Sequence, residues 1–111
     1  TIEYKALGVI THGQSTHISF ETKDGIIDFI YNEDQITLQH GNSKLHFSYH
    51  QEVWNQYELP YGSVPLKTKL ITFEANEERI KMKYELYDQG GLISTAYILM
   101  TLLPHLFQEV V

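Results

Sequence analysis

Apolar residues recur at every second position through most of the chain, and clusters of Gly, Asn and Asp interrupt them at intervals of about ten residues, the signature of an all-β barrel or sandwich. The spacing of a long helix is not seen. The first run, Ile2 to Ile10, places Ile2, Tyr4, Ala6, Gly8 and Ile10 on one face, with Gly8 a candidate for a bend or bulge. His12-Gly13-Gln14-Ser15 then predicts a turn. The second run, Thr16 to Thr22, alternates Ile18 and Phe20 with His17, Ser19 and Glu21. A two-residue primed turn at Asp24-Gly25 sets Phe20 opposite Phe29 and Ile18 opposite Tyr31. It also sets Glu21 opposite Asp28, a like-charge pair that leaves a bulge or a longer loop open.

Asn32-Glu33-Asp34 separates the third run from the fourth, Gln35 to His40. A two-residue loop at Gly41-Asn42 pairs Leu38 with Leu45 and Ile36 with Phe47 on one face, and Gln39 with Lys44 and Thr37 with His46 on the other. The alternation breaks after Tyr49, so Glu52-Val53-Trp54-Asn55 reads as a loop or short irregular piece. In Tyr57-Glu58-Leu59-Pro60-Tyr61-Gly62, Pro60 presets φ for the first central position of a β-turn and Gly62 relieves its exit, which predicts a tight corner. A long strand from Val64 to Phe73 follows, with Val64, Leu66, Thr68 and Leu70 on one face; Pro65 is tolerated at its start. Asn76-Glu77-Glu78 turns the chain into a hairpin, Arg79 to Tyr87 and Leu92 to Leu103, closed by Asp88-Gln89-Gly90-Gly91. A four-residue loop there opposes Leu86 to Ile93, Tyr84 to Thr95, Met82 to Tyr97 and Ile80 to Leu99. The last strand is apolar on both faces, so both require cover. Beyond Pro104, Leu106, Phe107 and Val110 either turn back as that cover or form a loose tail.

With 111 residues the chain is one domain, 1–111, of a size that buries roughly two-thirds of the surface exposed on unfolding. Its 42% apolar residues, with eight tyrosines, suffice for one core. No apolar run approaches the ~20 residues that span a membrane as a helix, so no membrane is expected as a partner. The absence of cysteine excludes a disulfide framework and thiol chemistry and, with no secretory signal in view, favours the cytoplasm. Net charge is −6, and the basic side is seven lysines and Arg79. Lys67, Lys69, Lys81 and Lys83 alternate with apolar residues instead of clustering, which reads as a solvated sheet face and argues against nucleic acid.

The order of these features resembles the bacterial YwiB-like family, a domain of unknown function. The matching residues are Ile2-Glu3-Tyr4 and Gly8, Leu38 to Phe47 around Gly41, the Tyr57 to Gly62 corner, Thr68, Lys83-Tyr84-Glu85-Leu86, and the Gly90-Gly91 hairpin. The resemblance implies a single antiparallel up-and-down β-barrel, lipocalin-like (calycin-type), of about eight to ten strands. Two departures bear on it. The family carries a further N-terminal strand ahead of the position of Ile2, so either an upstream segment completes the sheet or one edge is unpaired and open to a second chain. The extension from Leu106 to Val111 also runs past the family's usual last strand.

Candidate chemistry is sparse. His46 and His50 share a strand face but stand about 13 Å apart, too far for one metal. His12, His17, His40 and His105 have no ligand spacing, so no metal site is expected. There is no nucleophile elbow and no phosphate-cradling loop. Glu58 and Glu85, set among tyrosines, are candidates for acid–base work if buried and outward-facing surface residues otherwise; no catalytic residue and no cofactor is assigned. The interior remains. Tyr4, Phe20, Phe29, Phe47, Tyr49, Met82, Tyr84 and Tyr97, with Thr68 and Thr95, are expected inside, either filling the space or leaving room for one small ligand. The expected function is non-enzymatic binding of a small apolar molecule, with Tyr57, Tyr61, Tyr84, Tyr97, Phe47 and Tyr49 as candidate ligand-binding residues. The alternative is a packed interaction module that docks a protein, or forms a homodimer, through a strand edge or the aromatic patch near Trp54.

Overall fold

The structure, a computed structural model, describes residues 8–22, 25–76, 78–101 and 107–110. Ten strands follow in order: β1 (Gly8–Thr11), β2 (Thr16–Thr22), β3 (Gly25–Tyr31), β4 (Gln35–His40), β5 (Ser43–Ser48), β6 (Val53–Leu59), β7 (Gly62–Ala75), β8 (Arg79–Asp88), β9 (Gly91–Thr101) and β10 (Phe107–Val110). The all-β expectation holds. The strands fall into a six-stranded sheet, β10-β1-β2-β3-β4-β5, and a four-stranded sheet, β6-β7-β8-β9, and neither closes on itself. Pairing is antiparallel except where β10 runs parallel to β1, Gly8 opposite Phe107 and Thr11 opposite Val110. The segment after Pro104 therefore ends as a strand on the outer edge of β1. Ile2, Tyr4, Ala6, Lys23, Asp24, Glu77 and residues 102–106 lie outside the described residues.

Alternation puts the apolar set of each sheet on one face, and the two faces meet. Ile10, Ile18, Phe20, Ile27, Phe29, Ile36, Leu45 and Phe47 come from the first sheet, and Ile80, Met82, Tyr84, Ile98 and Met100 from the second; all are buried. Phe47 packs edge-on against Tyr84 with ring centroids 4.8 Å apart. At another part of the core Phe73 stacks on Phe29 and meets Tyr31 and Tyr49, at 6.2, 5.3 and 5.8 Å.

The β4–β5 register is the one the sequence predicts, Leu38 on Leu45 and Ile36 on Phe47. The β2–β3 hairpin differs by two residues. Thr22 pairs with Gly25, which puts Ile18 opposite Phe29 and Phe20 opposite Ile27. An even shift keeps the same residues inside and resolves the charge conflict: Glu21 faces Ile26, while Asp28 faces Ser19 and meets His17 Nε2 at 2.8 Å. The β8–β9 hairpin differs by one. Its loop is Gln89-Gly90, and a bulge at Ile93 follows the Tyr87–Leu92 pair, so Tyr84 opposes Ala96, Met82 opposes Ile98 and Ile80 opposes Met100. An odd shift reverses the faces: Ala96, Ile98 and Met100 turn inward, while Thr95 and Tyr97, expected inside, are exposed. A second bulge at Ile71 changes the phase of β7, so that Phe73 reaches the core and Ile71 does not.

Val53 to Asn55, expected to be irregular, belong to β6, which pairs with β7 from Val53–Thr68 to Leu59–Gly62. Pro60-Tyr61 is the two-residue turn between them, and Gly62 adopts φ 142°, a conformation that a side chain would strain. Both Asn turns act through the same device: Asn32 Oδ1 accepts from the amides of Asp34 and Gln35, and Asn76 Oδ1 from those of Glu78 and Arg79.

Among the described residues strand β5 has no ladder partner beyond β4, yet its outer edge is not bare. The Asn55 side chain accepts from the His46 amide at 2.8 Å and donates toward the carbonyls of His46, Val53 and Leu66 at 3.3–3.4 Å. The Thr68 hydroxyl donates to the His46 carbonyl, and the Ser43 hydroxyl to the Glu58 carbonyl at 2.6 Å. Asn55 and Thr68 are buried polar residues in an apolar core because they complete the hydrogen bonding of an edge that no described strand pairs with.

Candidate functional site

The hairpin ends β2–β3, β4–β5 and β6–β7 border a cavity of about 190 Å³ between the sheets. Phe20, Ile27, Phe29, Leu38 and Leu45 form its wall on the first sheet, and Tyr84, Ile98 and Met100 on the second; His40, Ser43 and Tyr57 complete the lining. The wall is hydrocarbon because these positions are the inward members of alternating strands. Polar side-chain atoms come from His40 and Ser43, which flank the Gly41-Asn42 turn, and from the phenols of Tyr57 and Tyr84. His40 lies against the β2–β3 end, its Nε2 3.4 Å from where a Cβ on Gly25 would stand, and the φ of 120° is what requires glycine there. Such a cavity offers apolar enclosure with a few polar groups, the usual composition of a small-molecule pocket.

The six residues singled out from the sequence do not converge. Tyr57 and Tyr84 line the cavity, and Phe47 packs behind Tyr84. Tyr49 belongs to the Phe73 cluster, where its hydroxyl donates to the Asn32 carbonyl at 2.9 Å. Tyr61 stands at the β6–β7 tip, 85% exposed. Tyr97 lies on the outer face of the second sheet with Lys83 Nζ 5.2 Å from its ring centroid. His40, Ser43, Ile98 and Met100 are lining residues that sequence reasoning missed. For His40 and Ser43 the signal was present, since both flank the Gly41-Asn42 turn at a hairpin end; for Ile98 and Met100 it was not, because β9 is apolar on both faces.

Burial, and secondarily the proximity of Tyr31, raises the Tyr49 pKa above its ordinary 10.0. The protonated phenol is the form that donates to Asn32, so the fold favours it. This contribution is complete below the unfolded-state pKa and is lost as pH rises from about 10 through the folded-state value. Urea denaturation between pH 9 and 11.5 should therefore show a stability decline that is shallower in Tyr49→Phe; equal slopes would refute the assignment.

Glu85 accepts from the Tyr87 hydroxyl at 2.9 Å, and Lys67 bonds Glu52 at 3.0 Å while standing over the rings of Trp54 and Tyr87. Glu58 is exposed, and Glu85 is half-buried on the outer face; neither lines the cavity. Among the described residues no three His, Asp or Glu side chains group closely enough to hold a metal, and no helix is long and apolar enough to cross a membrane.

No curated protein and no solved structure matches the chain. One family does, over residues 1–100, nearly the full length and including every cavity-lining residue. By that match the chain belongs to the family described as "Domain of unknown function (DUF1934)".

Proposed function

We propose that this domain is a non-enzymatic, cytoplasmic protein that encloses a small, mostly apolar molecule in the cavity between its sheets. The observation that carries the reading is the cavity itself: about 190 Å³ with a mostly hydrocarbon wall, and polar side chains limited to His40, Ser43, Tyr57 and Tyr84. A buried apolar cavity of ~150 Å³ accommodates benzene, so the fitting occupant is a single ring or a short acyl chain. A long lipid does not fit. The same reading treats the two sheets as the halves of a lipocalin-like barrel of the YwiB-like type. In its support, β1 to β5 follow one another in order in one half and β6 to β9 in the other, with β10 added at the β1 edge, and the halves are stitched by Asn55, Thr68 and Ser43.

The test is to incubate the protein with a lipid and metabolite extract, repurify it and record native mass spectra. A retained mass of a few hundred daltons or less is expected, and it should disappear in Leu38→Trp, which places an indole in the wall. Retention by Leu38→Trp at the wild-type level, or no retained mass at all, would sink the reading.

The same spectra address a second reading, a homodimerising interaction module. It draws support from Leu92, Ile93, Tyr97 and Leu99, all exposed on β9, whose outer edge has no strand partner among the described residues. A dimer mass with an empty interior would favour it.

A further inference from the structure

We infer that the outer surface of the β5–β6 seam is a second binding site, separate from the cavity, that takes a neutral saccharide stacked on Trp54. A groove of about 420 Å³ runs along this seam, bordered by Asn42, Lys44 and His46 on one side and Trp54, Gln56 and Glu58 on the other. Trp54, Gln56 and Glu58 alternate along β6, so they project from one face at intervals of about 7 Å, comparable to the length of a sugar ring. Trp54 is 55% exposed. Lys67, its cross-strand neighbour on β7, stands over the indole at 5.7 Å from the centroid, and Trp54 also lines the groove.

Three properties select the occupant. First, the side chains of Lys44, Gln56 and Glu58 make no hydrogen bond or ion pair with other described residues, so the groove offers an ammonium donor, an amide that both donates and accepts, and a carboxylate acceptor beside a flat ring. That combination suits adjacent hydroxyls on a ring whose C–H face is weakly positive and lies well on the negative face of an indole. Second, charge argues against an anion. Lys44 is balanced by Glu58, Lys67 is engaged by Glu52, and the chain as a whole carries −6, so a phosphate would meet no net positive field. Third, a peptide strand is blocked from pairing at mid-seam. The His46 amide and carbonyl, which it would need, are already bonded to Asn55 and Thr68.

Trp54 is the sole tryptophan, so its fluorescence reports this groove directly. Wild-type protein is titrated with cellotriose, chitotriose, maltotriose and adenosine monophosphate. At least one trisaccharide should shift Trp54 emission saturably. By calorimetry, Trp54→Ala should weaken that binding about tenfold or more, as truncating a central aromatic anchor does. Gln56→Ala should weaken it too, while the thermal midpoint of both variants stays near wild type because both residues are exposed. The inference fails if none of the three saccharides gives a saturable shift, if adenosine monophosphate binds more tightly than all of them, or if folded Trp54→Ala retains wild-type affinity.

Discussion

Phe29→Ala should cost about 3–5 kcal/mol of stability, a large share of the ~5–15 kcal/mol that a domain of this size possesses. Phe29 has no solvent exposure and is the central inward residue of β3, flanked on the sheet by Ile18 of β2 and Leu38 of β4. Its ring also spans the sheets, stacking on Phe73 and tilting against Tyr31 at 5.8 Å. Truncation removes the transfer free energy of the ring and leaves a hole that the neighbours fill only partly, since each is fixed by its own strand. Because Phe29 also walls the cavity, the void merges with space already present, which reduces the prospect of collapse. In urea the midpoint should fall with little change in slope, and the thermal midpoint by about 20 °C. Phe29→Leu, which retains most of the volume, should lose about 1–2 kcal/mol. A loss below about 1 kcal/mol for Phe29→Ala would show that the two sheets do not pack through this residue.

The elements and their faces were legible where one strand face is apolar and the turn chemistry is unambiguous. The β4–β5 hairpin meets both conditions: Gly41-Asn42 sets the loop and Ile36, Leu38, Leu45 and Phe47 set the phase. Strand β9 meets neither. With Ala96, Ile98 and Met100 on one face and Tyr97 and Leu99 on the other, apolar patterning carries no phase, and one bulge at Ile93 decides which set is inside. That single residue moved Tyr97 from a candidate binding group to the outer surface and brought Met100 into the cavity wall. Strand β6 was obscured for another reason. Asn55 occupies an inward position, where a polar residue reads as a break in the strand, although Val53, Asn55 and Tyr57 form one continuous inward row. The cavity was only half legible because it depends on how hairpin ends from two sheets meet, and sequence fixes hairpins far better than the packing of one sheet on another.

The residue that disguised β6 should also be the most sensitive polar position in the fold. Asn55→Ala is expected to cost about 2–4 kcal/mol, because it leaves the His46 amide and part of the demand of three carbonyls without partners in a site from which water is largely excluded. Thr68→Val should cost less, about 1–2 kcal/mol: the His46 carbonyl retains its longer bond from Asn55, and the methyl replacing the hydroxyl packs in the same volume. The two substitutions act on one carbonyl, so their double-mutant cycle should depart from additivity by 0.5 kcal/mol or more, whereas Asn55→Ala combined with the remote Tyr61→Ala should be additive within about 0.5 kcal/mol. Asn55→Asp separates hydrogen bonding from shape. A carboxylate still accepts from the His46 amide but faces the carbonyls of His46, Val53 and Leu66 with no proton to donate, so at neutral pH the variant should be less stable than Asn55→Ala. Its protonated form restores a donor. This carboxyl pKa should accordingly lie above the unfolded value, and the stability gap between Asn55→Asp and Asn55→Ala should close as pH falls through it. If the gap is unchanged from pH 7 to pH 4.5, Asn55 holds the sheets together by packing alone, and the side-chain bridge to β5 is not what joins them.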